Sequence, residues 1–247
     1  MEDYLLELNL GKNDYRVHCK PTHIVTIKDI IKLIKKVEEH FKWIGIGGHP
    51  LRFKKIADLI NEIGLSTSNY YIVDSCNQFS NFGLEELAKY KNINLIAEIE
   101  KAKDINWLKK NKGSFSAVAV SVYTLFKNPK LESKLLLEKL TYDVEDVTWV
   151  IKDKEFVNYR SRKKTSSKVC GIVNSRLISS DTKGNFYPCV ALCNSKYLLG
   201  NIYTNSVKEI IHNYNKFKQL ITCPNCCQAR SLASSNLMNQ DYLCQTK

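Results

Sequence analysis

Six of the chain's nine cysteines fall between Cys170 and Cys227, and their spacing points to metal chemistry. Cys170 is followed after thirteen residues by Gly184, and Cys189 stands five positions beyond that glycine. A long gap then leads to Cys223-Pro-Asn-Cys226. Two residues between cysteines let both thiolates grip one centre. Four thiolates gathered from distant segments, here Cys170, Cys189, Cys223 and Cys226, suit an iron–sulfur cluster or a structural zinc. Cys193, Cys227 and Cys244 are left over. Disulfides are not expected. Met1-Glu-Asp-Tyr4 is acidic and lacks a basic-then-apolar signal, so the expected compartment is the reducing cytoplasm.

The elements that must position these thiols can be read locally. Arg176 to Ser180 has the character of a strand, Asp181-Thr-Lys-Gly184 of a turn, and Asn185 to Cys189 of a return strand. Gly184 can supply the positive φ that a short hairpin loop needs. Such a hairpin draws Cys170 and Cys189 together. After Gly200-Asn-Ile202, Ser206-Val-Lys-Glu209 is a capping-box pattern. The helix it starts runs to about Leu220 and delivers Cys223 and Cys226.

Composition sets the frame. A chain of 247 residues with 44 % hydrophobic content builds one large domain, or one plus a small appendage. No apolar run approaches membrane-spanning length, so neither a transmembrane helix nor a membrane partner is expected. The formal net charge is +12. Lysine and asparagine enrichment is what an AT-rich coding sequence yields, and the functional counterpart is attraction to an acidic partner. No recognition motif accompanies the charge, so nucleic acid is not the expected partner. The densest basic run, Arg160-Ser-Arg-Lys-Lys164, falls in a polar linker.

The first 150 residues alternate. Strand patterns cover Tyr4–Leu10, Trp43–Gly47, Tyr70–Val73, Ile93–Ala97, Ser116–Val122 and Val147–Ile151, with Tyr15–Cys19 as a further candidate. Helical patterns cover Thr26–Phe41, Leu51–Ile63, Leu84–Tyr90, Asp104–Lys110 and Leu131–Leu140, with Thr26 as a cap. Six strands alternating with helices imply a parallel sheet with helices outside it, an open partial barrel and not a closed eight-fold one. The expected organisation is α/β: a (β/α)6 partial barrel over residues 1–152, a basic linker over 153–169, and a small cysteine-rich hairpin-plus-helix domain over 170–247.

The arrangement of Cys170, Gly184, Cys189, Leu199-Gly-Asn-Ile202, the Ser206–Ile211 helix start and Cys223-x-x-Cys226 resembles the SPASM/Twitch extension of radical S-adenosylmethionine proteins. With the β/α series before it, the resemblance covers nearly the whole chain. It implies one auxiliary [4Fe–4S] cluster on those four cysteines. The longer SPASM form holds a second cluster through cysteines six and ten positions after the Cys-x-x-Cys pair. Leu232 and Asn236 stand there, so the shorter, single-cluster Twitch form is the better match. Gly47-Gly-His-Pro50, after the second strand, is similar to the family's Gly-Gly-Glu-Pro, which lies near the amino group of the cofactor.

The resemblance breaks at the reactive cluster. The family uses Cys-x-x-x-Cys-x-x-Cys after the first strand. Here the same spacing holds Cys19, His23 and Thr26. Threonine does not replace a thiolate on iron, and histidine is a poor match for such a cluster. His49 stands where the family has glutamate, and only 20 residues separate Thr26 from Gly47. These departures imply a degenerate barrel, with S-adenosylmethionine not expected as a cofactor and no catalytic residue assigned. Cys19 then reads as a small buried apolar residue, and His23 and His49 as surface and turn histidines. Cys76, just after the third strand, is expected on the same barrel face and leaves a Cys19–His23–Cys76 metal site as an alternative.

The resemblance implies a non-catalytic partner in maturation of a ribosomally made peptide or a cofactor. It would bind a precursor peptide, or relay electrons to an active radical enzyme. Two alternatives differ in class. One is an active peptide-modifying enzyme with a divergent site drawn from Cys19, His23, Cys76 and His49. The other is a structural zinc protein.

Overall fold

The computed structural model describes residues 4–10, 26–121, 128–137, 143–145, 177–189 and 195–220. Its centre is one sheet, built outward from β1 (Leu5–Asn9). β2 (Trp43–Gly47), β3 (Asn69–Ser75), β4 (Ile93–Ile99), β5 (Ala117–Ser121) and β6 (Asp143–Glu145) follow on one side, every neighbour parallel. On the other side β7 (Leu177–Ser180) pairs with β1, also in parallel, and then β8 (Asn185–Tyr187) and β9 (Gly200–Asn201) turn antiparallel. The order is β6-β5-β4-β3-β2-β1-β7-β8-β9. The open, parallel β/α architecture expected from the alternation is present. The hairpin does not stand apart from it, because its first strand continues the same sheet.

The helices are α1 (Ile27–Val37), α2 (Ile56–Gly64), α3 (Cys76–Phe82), α4 (Leu84–Ala88), α5 (Asp104–Asn111), α6 (Pro129–Leu137) and α7 (Val207–Gln219). α1 buries Ile27, Ile30, Leu33, Ile34 and Val37, the stripe its 3.6-residue period dictates. Thr26 caps it, with Asp29 completing a capping box. Leu6, Leu8, Ile44, Ile46, Tyr70, Ile72 and Leu95 alternate onto the sheet face that packs into the core. The other face is less covered at Trp43 and Tyr71, which stack at 4.8 Å between ring centroids.

Two expectations need correction. The helix expected from Leu51 begins at Ile56 instead. Pro50–Arg52 forms a single 3-10 turn, and Lys55 in a left-handed conformation breaks the path before α2. The segment after β3 is helical from Cys76 onward, where no helix was expected. Its polar sequence carries little propensity, and burial of Cys76 and Phe79 supplies what propensity does not. An unexpected short strand, Asp143–Glu145, takes the sixth place in the sheet, and the expected strand Val147–Ile151 lies outside the described residues. The strand candidate Tyr15–Cys19 and the linker 153–169 lie outside them too.

Candidate functional site

Two regions carry chemistry. The first lies at the carboxyl ends of β2, β3 and β4, where parallel α/β sheets present their functional loops. β2 ends in Gly47-Gly-His-Pro50. Gly48 and His49 both adopt positive φ, 80° and 58°, which turns the chain back across the sheet end. The turn carries His49 inward, where it is 5 % exposed. Its Nδ1 meets Asp74 Oδ1 at 3.0 Å.

Asp74 ends up fully buried and holds the corner together. Its Oδ1 also accepts from the Ser75 amide at 2.7 Å, and its Oδ2 accepts from the Leu51 amide at 2.8 Å. Three donors converge on one carboxylate, the pattern that keeps a buried charge solvated by protein. Burial alone would lower the His49 pKa. The hydrogen bond and the charge of Asp74, with Glu98 behind them, outweigh it, so His49 titrates above the ordinary histidine value. Ser75 pairs in register with Glu98 on the opposite sheet face, and both are buried. The Ser75 hydroxyl and the Arg52 Nε are buried atoms with no hydrogen-bond partner among the described residues. Arg52 reaches towards Glu100, at 3.7 Å.

His49 is therefore a turn histidine, as expected, but a buried and paired one. Cys76 is a core thiol. It is 2 % exposed, donates to the Glu98 carbonyl at 3.5 Å, and is pushed well above the usual thiol range by burial and by the nearby Asp104 charge. A thiol held protonated is a poor ligand and nucleophile. Among the described residues no three histidine, cysteine or acidic side chains form a metal-binding group. Cys19 and His23 lie outside them. Thr26 is engaged as the α1 cap through its hydroxyl and backbone.

The second region is the hairpin and α7. Asp181 organises the turn. Its carboxylate accepts from the amides of Lys183 and Asn185 at 2.9 and 3.0 Å, and from the Asn185 side chain at 3.0 Å. Gly184 sits at φ 77°, as its place in the loop requires. A methyl group there would stand 2.7 Å from Ile202 and 2.8 Å from the Tyr203 ring. Tyr187 donates to Asp181, and burial beside that carboxylate pushes its phenol up to about 12. Ser206 and Glu209 form both halves of the expected capping box. α7 then packs on the 197–200 segment. Asn213 donates to the Leu199 carbonyl at 2.7 Å, and Phe217 meets Tyr197 edge-on at 6.0 Å. Tyr214 meets Tyr4 edge-on, and the Tyr4 hydroxyl bonds Asn215 at 3.1 Å, so α7 is tied to the start of β1.

Of the four expected metal ligands, Cys189 is described. It lies two residues beyond β8, 9 % exposed and within the apolar core. A buried cysteine at the end of a hairpin strand fits a thiolate donor to a cluster shielded from solvent. Cys170, Cys223 and Cys226 lie outside the described residues. Sequence reasoning missed Asp74 and the inward turn of His49. The one signal that could have raised them was a lone aspartate directly after the apolar run Tyr70–Val73.

Residues 170–231 match the SPASM family, described as an iron–sulfur cluster-binding domain. No curated protein matches the chain. Among solved structures, SuiB of Streptococcus suis aligns over 94 % of this chain and 71 % of its own, with a TM-score of 0.55 and 12 % identity. The same figures hold for SuiB bound to its precursor peptide SuiA. BtrN in complex with AdoMet and 2-DOIA aligns over 100 % of this chain and 96 % of its own, with a TM-score of 0.50 and 14 % identity. At such identities the likeness is one of fold. The chain shares the fold of SuiB and BtrN, and its residues 170–231 match the SPASM domain. No helix among the described residues is long and apolar enough to cross a membrane.

Proposed function

We propose that this chain is a non-catalytic partner in a peptide- or cofactor-maturation system of the reducing cytoplasm. One [4Fe–4S] cluster sits on Cys170, Cys189, Cys223 and Cys226, and one-electron transfer is the chemistry such a cluster supplies. The barrel serves as a binding scaffold for a precursor peptide or for an active radical enzyme.

The corner after β2 carries this reading. A radical enzyme needs an anionic group there for the cofactor's ammonium. This chain presents an imidazole, and that imidazole is pinned. The neighbouring carboxylate does not stand in for the missing glutamate, because Asp74 is fully buried and its oxygens are turned to His49, Leu51 and Ser75. The substitution of His23 and Thr26 for two of three expected thiolates points the same way.

The test is made on anaerobically prepared, reconstituted protein. About four irons per chain are expected, the content of one such cluster. Reduction in the presence of S-adenosylmethionine is expected to yield no 5′-deoxyadenosine, and calorimetry no binding. Turnover above a no-enzyme control, abolished by Cys19→Ala, would establish an active enzyme instead. Stoichiometric zinc in fresh protein would replace the cluster with a structural metal.

A further inference from the structure

α1 spends its apolar face on the core and presents an unusual outer one. Lys28, Lys32 and Lys36 follow one another at intervals of four residues, and all three are exposed. At 1.5 Å rise per residue their stems are about 6 Å apart along one stripe. The other charges of the helix are committed. Lys35 pairs with Glu62. Asp29 is taken up by Thr26, and Lys32 is the smallest influence on it. None of the three stripe lysines makes an ion pair with a described residue, and Glu39, three positions after Lys36, does not close on it.

Such a stripe has a cost in the isolated protein. Like charges at i,i+4 oppose the helix, and Lys28 stands in the first turn, against the dipole. The stripe ends on an aromatic. Tyr203, in the turn after β9, is 51 % exposed, and Lys36 Nζ lies 5.0 Å from its ring centroid. The ring is held in place. Gly184 leaves room for its edge, and the backbone that carries it is fixed by the Tyr203 amide, which donates to Asn201 Oδ1 at 2.8 Å. A half-exposed tyrosine is a residue type that interfaces favour, and the lysines beside it supply a field that steers an acidic partner onto it.

We propose that Lys28, Lys32, Lys36 and Tyr203 form a docking surface for an acidic polypeptide segment. Carboxylates on alternate residues of an extended segment, or on successive turns of a helical one, repeat at about the spacing of the lysines. Tyr203 would take an apolar side chain beside them. A polypeptide fits better than a nucleic acid. The stripe has no arginine for bidentate phosphate contact, and Tyr203 is the one exposed aromatic among the described residues, not a series of platforms for successive bases. The inference names the partner's chemistry and rests on the partner reading for its setting.

The experiment uses full-length, cluster-loaded protein and two fluorescein-labelled probes of about 16 units, a peptide of alternating glutamate and alanine and an oligo-dT of equal length. Anisotropy is expected to show peptide binding that weakens as salt rises from about 50 to 300 mM. Reversal of the stripe (K28E/K32E/K36E) is expected to weaken it about tenfold or more, and Tyr203→Ser about threefold at unchanged charge. The control K101E/K103E/K110E alters net charge equally at exposed lysines elsewhere and is expected to shift affinity less than about threefold. Equal losses from both triple variants would reduce the effect to net charge and overturn the surface, as would absence of peptide binding. Tighter binding of the oligonucleotide, lost in the stripe variant, would reassign the surface to nucleic acid. A negative result with four irons and no 5′-deoxyadenosine removes this surface alone, whereas radical turnover removes the non-catalytic reading and leaves the surface standing.

Discussion

Replacing Asp74 is expected to be among the most damaging single changes to the described region. The side chain is fully buried and receives three donors, His49 Nδ1 and the amides of Leu51 and Ser75, at 2.7 to 3.0 Å. Asp74→Ala strands all three. An unsatisfied buried donor costs about 1–3 kcal/mol. If the 3-10 turn at Pro50–Arg52 relaxes enough to hydrate one of them, about 2–6 kcal/mol remains. That is a large share of the 5–15 kcal/mol that typically holds a domain together. Asp74→Asn keeps one acceptor oxygen but turns an amide NH2 towards one of the donors, so its cost should fall between the two, at about 2–3 kcal/mol. Urea unfolding followed by tryptophan fluorescence measures this, with the midpoint shifting and the slope unchanged. Trp43 and Trp107 both report on the β/α region. Asp74→Ala within about 1 kcal/mol of the parent would refute the three-donor account, as would Asp74→Asn proving worse than alanine.

His49 gives a pH test of the same corner. Its pKa is raised in the folded state, so its pairing stabilises fully below the unfolded value near 6.5, and the contribution is lost as pH rises through the folded value. Stability should therefore fall with rising pH just above 6.5, and that slope should vanish in His49→Gln. Gly184→Ala places a methyl group against Ile202 and Tyr203 at φ 77° and should cost about 1–3 kcal/mol in unfolding assays. Ser206→Ala removes the α7 cap and should cost about 1 kcal/mol, read by the same assay. Cys189→Ala should abolish most of the absorbance near ~400 nm in reconstituted protein, whereas Cys193→Ala should retain it.

The amino-acid sequence determined those features whose causes lie within a few residues. β2 was legible to the residue because Trp43-Ile-Gly-Ile-Gly47 is a short apolar run bounded by polar and turn residues. The α7 start was legible because a capping box is a local hydrogen-bond exchange between Ser206 and Glu209. The hairpin was legible because Asp181 and Gly184 each answer a local backbone demand. The cysteine spacing pointed to a metal centre, and the resemblance to the SPASM domain, matched over residues 170–231, turned that reading to iron–sulfur. Tertiary structure decided what depends on distant partners. β7 lies beside β1 because Leu177–Ser180 finds register with Leu5–Leu8, some 170 residues earlier, and no local pattern encodes that choice. α3 forms because Cys76 and Phe79 are buried, with Phe79 against Phe115 at 5.1 Å, not because its residues favour helix. His49 reads from sequence as one more turn histidine. Only the folded chain brings it 3.0 Å from Asp74, twenty-five residues away, because β2 and β3 end side by side and the desolvated carboxylate there must collect every donor within reach.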